Sequence, residues 1–187
     1  MTTSDEHPMD SEEFGPGSDV PDDLRVTRDV SVTDVDIDGD GNPDGLRVST
    51  TEITELDVDG DGQTDIVTKT TTHETALDID GDGVPDVIST VVTEEVAMDF
   101  DGDGVPDSID ITKTRTIGYD IDGDGVPDVS RSEVTETVGI DGDGDGVPDS
   151  VDVGVARATA FDTDGDGTLD EVVIETARDV DVDPQAH

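Results

Sequence analysis

The chain is 187 residues long, with 52 acidic residues against 9 basic ones, a formal charge of −43, and a composition that is 30% hydrophobic and 2% aromatic. Chains of this balance bury too little apolar surface to offset their ordering entropy unless cations neutralise them. The charge excludes binding to nucleic-acid phosphates or an anionic membrane surface, and the absence of cysteine excludes disulfides, thiolate metal sites and thiol nucleophiles.

Residues 1–20 are acidic, carry Pro8, Gly15, Pro16 and Gly17, and read as a disordered lead. The start has no charged-then-apolar signal pattern, and no apolar run reaches transmembrane length. The expectation is therefore a cytoplasmic chain, one exported by a leaderless route, or a piece of something larger. The stretch GSDVPDD at 17–23 reads as a decayed repeat, and a first strand is expected over about 24–37.

From Asp36 the nonapeptide D-x-D-G-D-G-x-x-D occurs seven times, each start 21 residues after the last, without insertion or deletion. Such register means that neighbouring units stack on one another. The spacing suits a hard dication that takes six to eight oxygens. Carboxylates at loop positions 1, 3 and 5 curl around one point, glycine at 6 makes the turn, position 7 offers its backbone carbonyl, and position 9 closes the site. The ligand sets read from this pattern are Asp36, Asp38, Asp40, Asn42 and Asp44; then Asp57, Asp59, Asp61, Gln63 and Asp65; then Asp78, Asp80, Asp82, Val84 and Asp86. They continue as Asp99, Asp101, Asp103, Val105 and Asp107; then Asp120, Asp122, Asp124, Val126 and Asp128. The last two are Asp141, Asp143, Asp145, Val147 and Asp149, and Asp162, Asp164, Asp166, Thr168 and Asp170. Seven loops of four aspartates hold 28 of the 52 acidic residues, and seven dications would bring the charge from −43 to −29.

These loops resemble the EF-hand calcium loop and, more closely, the calcium repeats of thrombospondin type 3 and FG-GAP/VCBS proteins, which carry D-x-D-G-D-G-x-x-D. The resemblance covers 36–44 through 162–170 and implies Ca²⁺ as the ion. It stops at the loops. Position 12, where the EF-hand places a bidentate Glu, holds Arg47, Thr68, Ser89, Asp110, Arg131, Asp152 and Val173, of which only Asp110 and Asp152 are carboxylates. The cysteines of thrombospondin repeats are absent. Affinities of roughly 10⁻⁵–10⁻³ M are expected without the strong last ligand.

The 12-residue spacers, such as VISTVVTEEVAM (87–98), are rich in Val, Ile and Thr and alternate apolar with polar, which is a strand pattern. Two EF-hand helices do not fit in them. Each apolar set has one charged residue or histidine at its centre: Glu52, His73, Glu94, Arg115, Glu136, Arg157 and Arg178. Stacked neighbours among these are expected to pair and fix register. Thr51, Thr72, Thr93, Thr114 and Thr135 share one repeat position and would line up as a ladder if equivalent positions stack.

The expected fold is all-β, a repeat of 21-residue strand-plus-loop units in an antiparallel meander of eight strands, free to curl or close. The alternative is a parallel β-roll with a corner at each charged centre, but no Gly, Pro, Asn or Asp marks such a corner. One repeat domain spans 21–183, followed by a tail at 184–187. The function read from these residues is a calcium-binding repeat protein of about seven ions with ion-coupled folding, a structural or adhesive module where calcium is millimolar. The alternative is a calcium or lanthanide scavenger or buffer. The expected partners are metal ions, with no nucleic acid and no anionic membrane. No residues suggest an enzyme.

Overall fold

The computed structural model describes residues 23–182, so the expected lead at 1–20 and the tail at 184–187 lie outside the described residues. Eight strands of 12 residues follow one another: β1 (Leu24–Val35), β2 (Gly45–Leu56), β3 (Ile66–Leu77), β4 (Val87–Met98), β5 (Ser108–Tyr119), β6 (Val129–Ile140), β7 (Ser150–Phe161) and β8 (Glu171–Val182). They form one sheet in chain order with every neighbouring pair antiparallel. The fold is thus the expected all-β meander. The parallel roll is excluded, because each spacer runs unbroken through its charged centre. The sheet does not close, and β1 and β8 are its edges.

Val, Ile and Thr favour the extended backbone along each strand, and the Asp-Gly nonapeptide ends it. The nine-residue loops act as hairpin turns. Pairing then runs through all 12 positions without a bulge, from Val35↔Gly45 to Leu24↔Leu56 in the first ladder.

A nine-residue loop is centred on a residue, so paired residues share parity: Glu94 faces Thr112, and Glu133 faces Arg157. Every even-numbered strand residue therefore points to one face and every odd-numbered one to the other. The repeat length of 21 is odd, so equivalent residues of successive repeats lie on opposite faces.

This overturns two expectations. Glu52, Glu94, Glu136 and Arg178 lie on the even face and His73, Arg115 and Arg157 on the odd face, so sequential members of that set do not pair. The threonine ladder splits likewise, with Thr72 and Thr114 on the even face and Thr51, Thr93 and Thr135 on the odd one.

What forms instead is a different ladder on the odd face. Arg115, Glu133, Arg157 and Glu175 stand directly opposite one another across β5–β8 with alternating sign. Arg157 is in contact with Glu133. On the even face Arg178 engages Asp152, which lies two residues along from its direct partner Gly154. Parity also sorts the positive charge. Arg25, Arg47, Lys69, Lys113, Arg115, Arg131 and Arg157 are on the odd face, leaving Arg28 and Arg178 on the even one.

The apolar residues are distributed over both faces, and no hydrophobic side chain is buried among the described residues. Val32, Phe100 and Ile174 are among those left exposed. Among the described residues, the buried ones are Asp99, Asp120, Asp141, Gly118 and Gly139. A sheet without an apolar core lacks the main favourable term of folding. No helix among the described residues is long and apolar enough to cross a membrane.

Candidate metal loops

The seven nonapeptides are the seven turns of the meander, so they alternate between the two ends of the sheet. Loops 36–44, 78–86, 120–128 and 162–170 line one end; 57–65, 99–107 and 141–149 line the other. Strands of 12 residues separate the two ends by roughly 40 Å, whereas successive loops at one end lie two strands, about 10 Å, apart.

Within each loop the backbone is folded by the aspartates themselves. In the first, the Asp36 carboxylate accepts the Gly39 amide at 2.7 Å on Oδ1 and the Gly41 amide at 3.0 Å on Oδ2. Asp38 Oδ1 accepts the Asp40 amide at 2.9 Å, Asp40 Oδ1 the Asn42 amide at 2.7 Å, and Asp44 Oδ2 the Ile37 amide at 2.6 Å. The Asp44 amide closes the hairpin on the Val35 carbonyl at 2.8 Å. The same set recurs in loop 120–128, where Gly123 and Gly125 donate to Asp120 and Ile121 donates to Asp128. This wrapping needs left-handed backbone at positions 4 and 6. Gly39 and Gly41 have φ of 76° and 90°, which only glycine adopts cheaply.

The bonding leaves several carboxylate oxygens without an amide partner. The Oδ2 atoms of Asp38 and Asp124 and the Oδ1 atoms of Asp44 and Asp128 accept none of the amides in the loop. Carboxylate oxygens of positions 1, 3 and 5 lie within 4.8 Å of one another in loops 36–44 and 57–65. Those of positions 1, 3 and 9 do so in loops 78–86, 99–107 and 120–128. Oxygens bound to one Ca²⁺ at 2.3–2.6 Å are separated by at most about 5 Å, so these sets fit a calcium-sized ion. The fourth aspartate of each expected set falls outside these groups: Asp44 and Asp65 in the first two loops, and Asp82, Asp103 and Asp124 in the next three; three carboxylates with only oxygen donors are still hard-cation chemistry.

The electrostatics are those of crowded anions. Repulsion from Asp145 raises the pKa of Asp143, with Asp149 and Asp141 adding to it. Desolvation pushes Asp141 upward, but the amides of Gly146, Gly144, Asp143 and Asp145 outweigh it and hold the group below the ordinary carboxylate range. Asp162 follows the same balance. Asp99, Asp120 and Asp141, at 9%, 8% and 4% exposure, are the buried charged side chains of the described chain. Buried carboxylates are costly unless hydrogen bonds or an opposite charge compensate them, and here the loop amides supply the first.

The loops are not identical. The Asn42 amide group donates to both oxygens of Asp40, and Gln63 donates to Asp61 Oδ2, so in these two loops a side chain occupies the position-5 carboxylate. Of the two position-12 carboxylates, Asp152 is engaged by Arg178, which lowers its pKa, while Asp110 Oδ1 is enclosed without a hydrogen-bond partner. His73 is occupied by a 2.8 Å hydrogen bond to Ser49.

Sequence reasoning did not reach the contacts between loops. The amides of Asp78, Asp120 and Asp162 donate to the carbonyls of Asp44, Asp86 and Asp128 at 2.8, 3.0 and 2.9 Å. At the other end Asp57, Asp99 and Asp141 donate to Asp23, Asp65 and Asp107 at 3.0, 2.9 and 2.9 Å. Position 1 of each loop from the third onward is thus bonded to position 9 of the loop two places earlier. Asp23 fills the position-9 role for the decayed copy at 17–23. The signal was the meander itself, in which every second hairpin turn returns to the same end of the sheet.

No protein-family model matches the chain, and searches of curated proteins and of solved structures returned no match.

Proposed function

We propose that this chain is a calcium-binding repeat protein that takes one Ca²⁺ in each of its seven loops and depends on them to fold. The observation that carries the reading is that the buried side chains of this coreless sheet are position-1 aspartates, Asp99, Asp120 and Asp141. Loop amides hold these carboxylates, and a cation adds the opposite charge that buried carboxylates otherwise lack. A dication in each loop supplies it and relieves the crowding that raises Asp143. Binding only to the folded state stabilises it by about 2.7 kcal/mol per site at 100 times Kd, which replaces the missing hydrophobic term.

Lacking a strong position-12 ligand, such loops bind calcium in the roughly 10⁻⁵–10⁻³ M range. That suits a structural or adhesive module working in millimolar calcium better than a trace-calcium buffer. Native mass spectrometry of the chelator-stripped chain with added calcium tests the stoichiometry. Seven bound ions are expected, and none or one would end the reading. The same titration with a lanthanide separates the roles: a preference of many orders of magnitude for the lanthanide would favour scavenging over a calcium-dependent scaffold.

A further inference from the structure

We infer that the seven sites work as two separately coupled rows, one of four loops and one of three, so that each loop answers to the loop 42 residues away and not to the loop 21 residues away. The inference rests on the metal-binding reading above and adds its regulation. It stands on the contacts between loops. Asp86 and Asp120 are ligand residues of different loops, and the Asp120 amide donates to the Asp86 carbonyl at 3.0 Å. The same link joins Asp44 to Asp78 and Asp128 to Asp162 in that row. It joins Asp65 to Asp99 and Asp107 to Asp141 in the other.

Side chains reinforce the backbone link. A Cβ placed on Gly123 would lie 3.7 Å from Asp82 Oδ2, and one on Gly144 would lie 3.3 Å from Asp103 Oδ2. In these two pairs the position-5 carboxylate of one loop lies beside the position-4 glycine of the next loop in its row; between loops 120–128 and 162–170 it is Val126 that lies 3.7 Å from a Cβ placed on Gly167. An ion that draws Asp82 and Asp86 inward fixes the atoms on which loop 120–128 is built, so the second loop has less freedom left to lose. Between rows there is only 12-residue strand. At roughly 40 Å, several times the Debye length of about 8 Å, charge does not carry across it either.

The test uses the full chain, calcium as the probe, and amide NMR signals of the position-6 glycines Gly83, Gly104, Gly125, Gly146 and Gly167, each of which bonds to the position-1 aspartate of its own loop. Loop 120–128 is disabled by D120N/D122N/D124N, with D124N alone as the milder variant that keeps the loop's other carboxylates. Circular dichroism in saturating calcium checks that each variant folds. Because all sites share one calcium-dependent fold, some loss common to every loop is expected, and the row coupling is read as the excess over it: a loss of calcium affinity at Gly83 and Gly167, the row neighbours, at least fivefold greater than at Gly104 and Gly146, the sequence neighbours. Equal loss in all four, or no loss in any, with calcium still bound, overturns the two-row coupling alone. No calcium-dependent shift at any glycine of the unmodified chain overturns the metal reading and the coupling with it.

Discussion

The Arg157 guanidinium contacts the Glu133 carboxylate directly across the β6–β7 ladder, while Glu136, the residue at its equivalent repeat position, faces Gly154 from the opposite side of the sheet. The pair is the clearest signature of the register. A double-mutant cycle on unfolding in calcium is expected to give a coupling between Arg157 and Glu133 and none between Arg157 and Glu136. Arg157→Glu should lower the urea midpoint more than Arg157→Ala, because it sets three glutamates side by side with Glu133 and Glu175.

These pairs also set a pH response. The hydrogen bond from Arg157 is the main cause that holds Glu133 below the ordinary carboxylate range, and Arg178 does the same for Asp152. A depressed folded pKa means stability that is present above the unfolded value and lost as pH falls through the folded one. The loss should therefore fall below the ordinary carboxylate range. Carboxyl-carbon NMR titration checks this, with the Glu133 pKa rising toward its ordinary value in R157A.

Most of the architecture is legible in the sequence. The strands, the loops and the count of eight come from β-branched alternation broken by Asp-Gly turns at a fixed 21-residue period. Glu94 and Arg115 mark where that legibility stops. Their equal repeat positions suggest stacking, but in an antiparallel meander an odd repeat sends them to opposite faces, where they meet Thr112 and Val91. The same parity removes any single apolar face, which is why the sheet has nothing to close around. The ligand pattern of each loop is legible because it is local. The Asp44–Asp78 link is not, because it joins residues 34 apart through a strand pairing that the pattern alone leaves open.

Glycines of the array should fail for different reasons. Gly83 has φ of 95° and open space around it, so Gly83→Ala meets only backbone strain, about 1–2 kcal/mol. Gly45 has no such φ, but a Cβ there would lie 2.1 Å from the Ala76 carbonyl oxygen. Asparagine, which visits the left-handed region more readily, should recover part of the calcium affinity at 83 and none of the stability at 45. Calorimetric calcium titration and urea unfolding of the four variants check this.

Salt should act on the ions more than on the sheet. Calcium affinity depends on attraction by four carboxylates per loop, which added salt screens, so affinity should fall steadily as sodium chloride is raised. Along a row, a loaded neighbour attracts the next ion less than an empty one, which opposes coupling, whereas ordering of the shared backbone favours it. Salt damps only the first of these. The positive coupling between loops 78–86 and 120–128 should therefore grow with salt while the mean affinity drops, as read from calcium titrations at low and high salt.

The most direct test of ion-dependent folding is far-UV circular dichroism of the chelator-stripped chain during calcium titration. The account predicts a disordered spectrum that turns to β-sheet at roughly 10⁻⁵–10⁻³ M calcium and reverts on chelation. A stripped chain that is already fully β-sheet, and that calcium leaves unchanged, would contradict it.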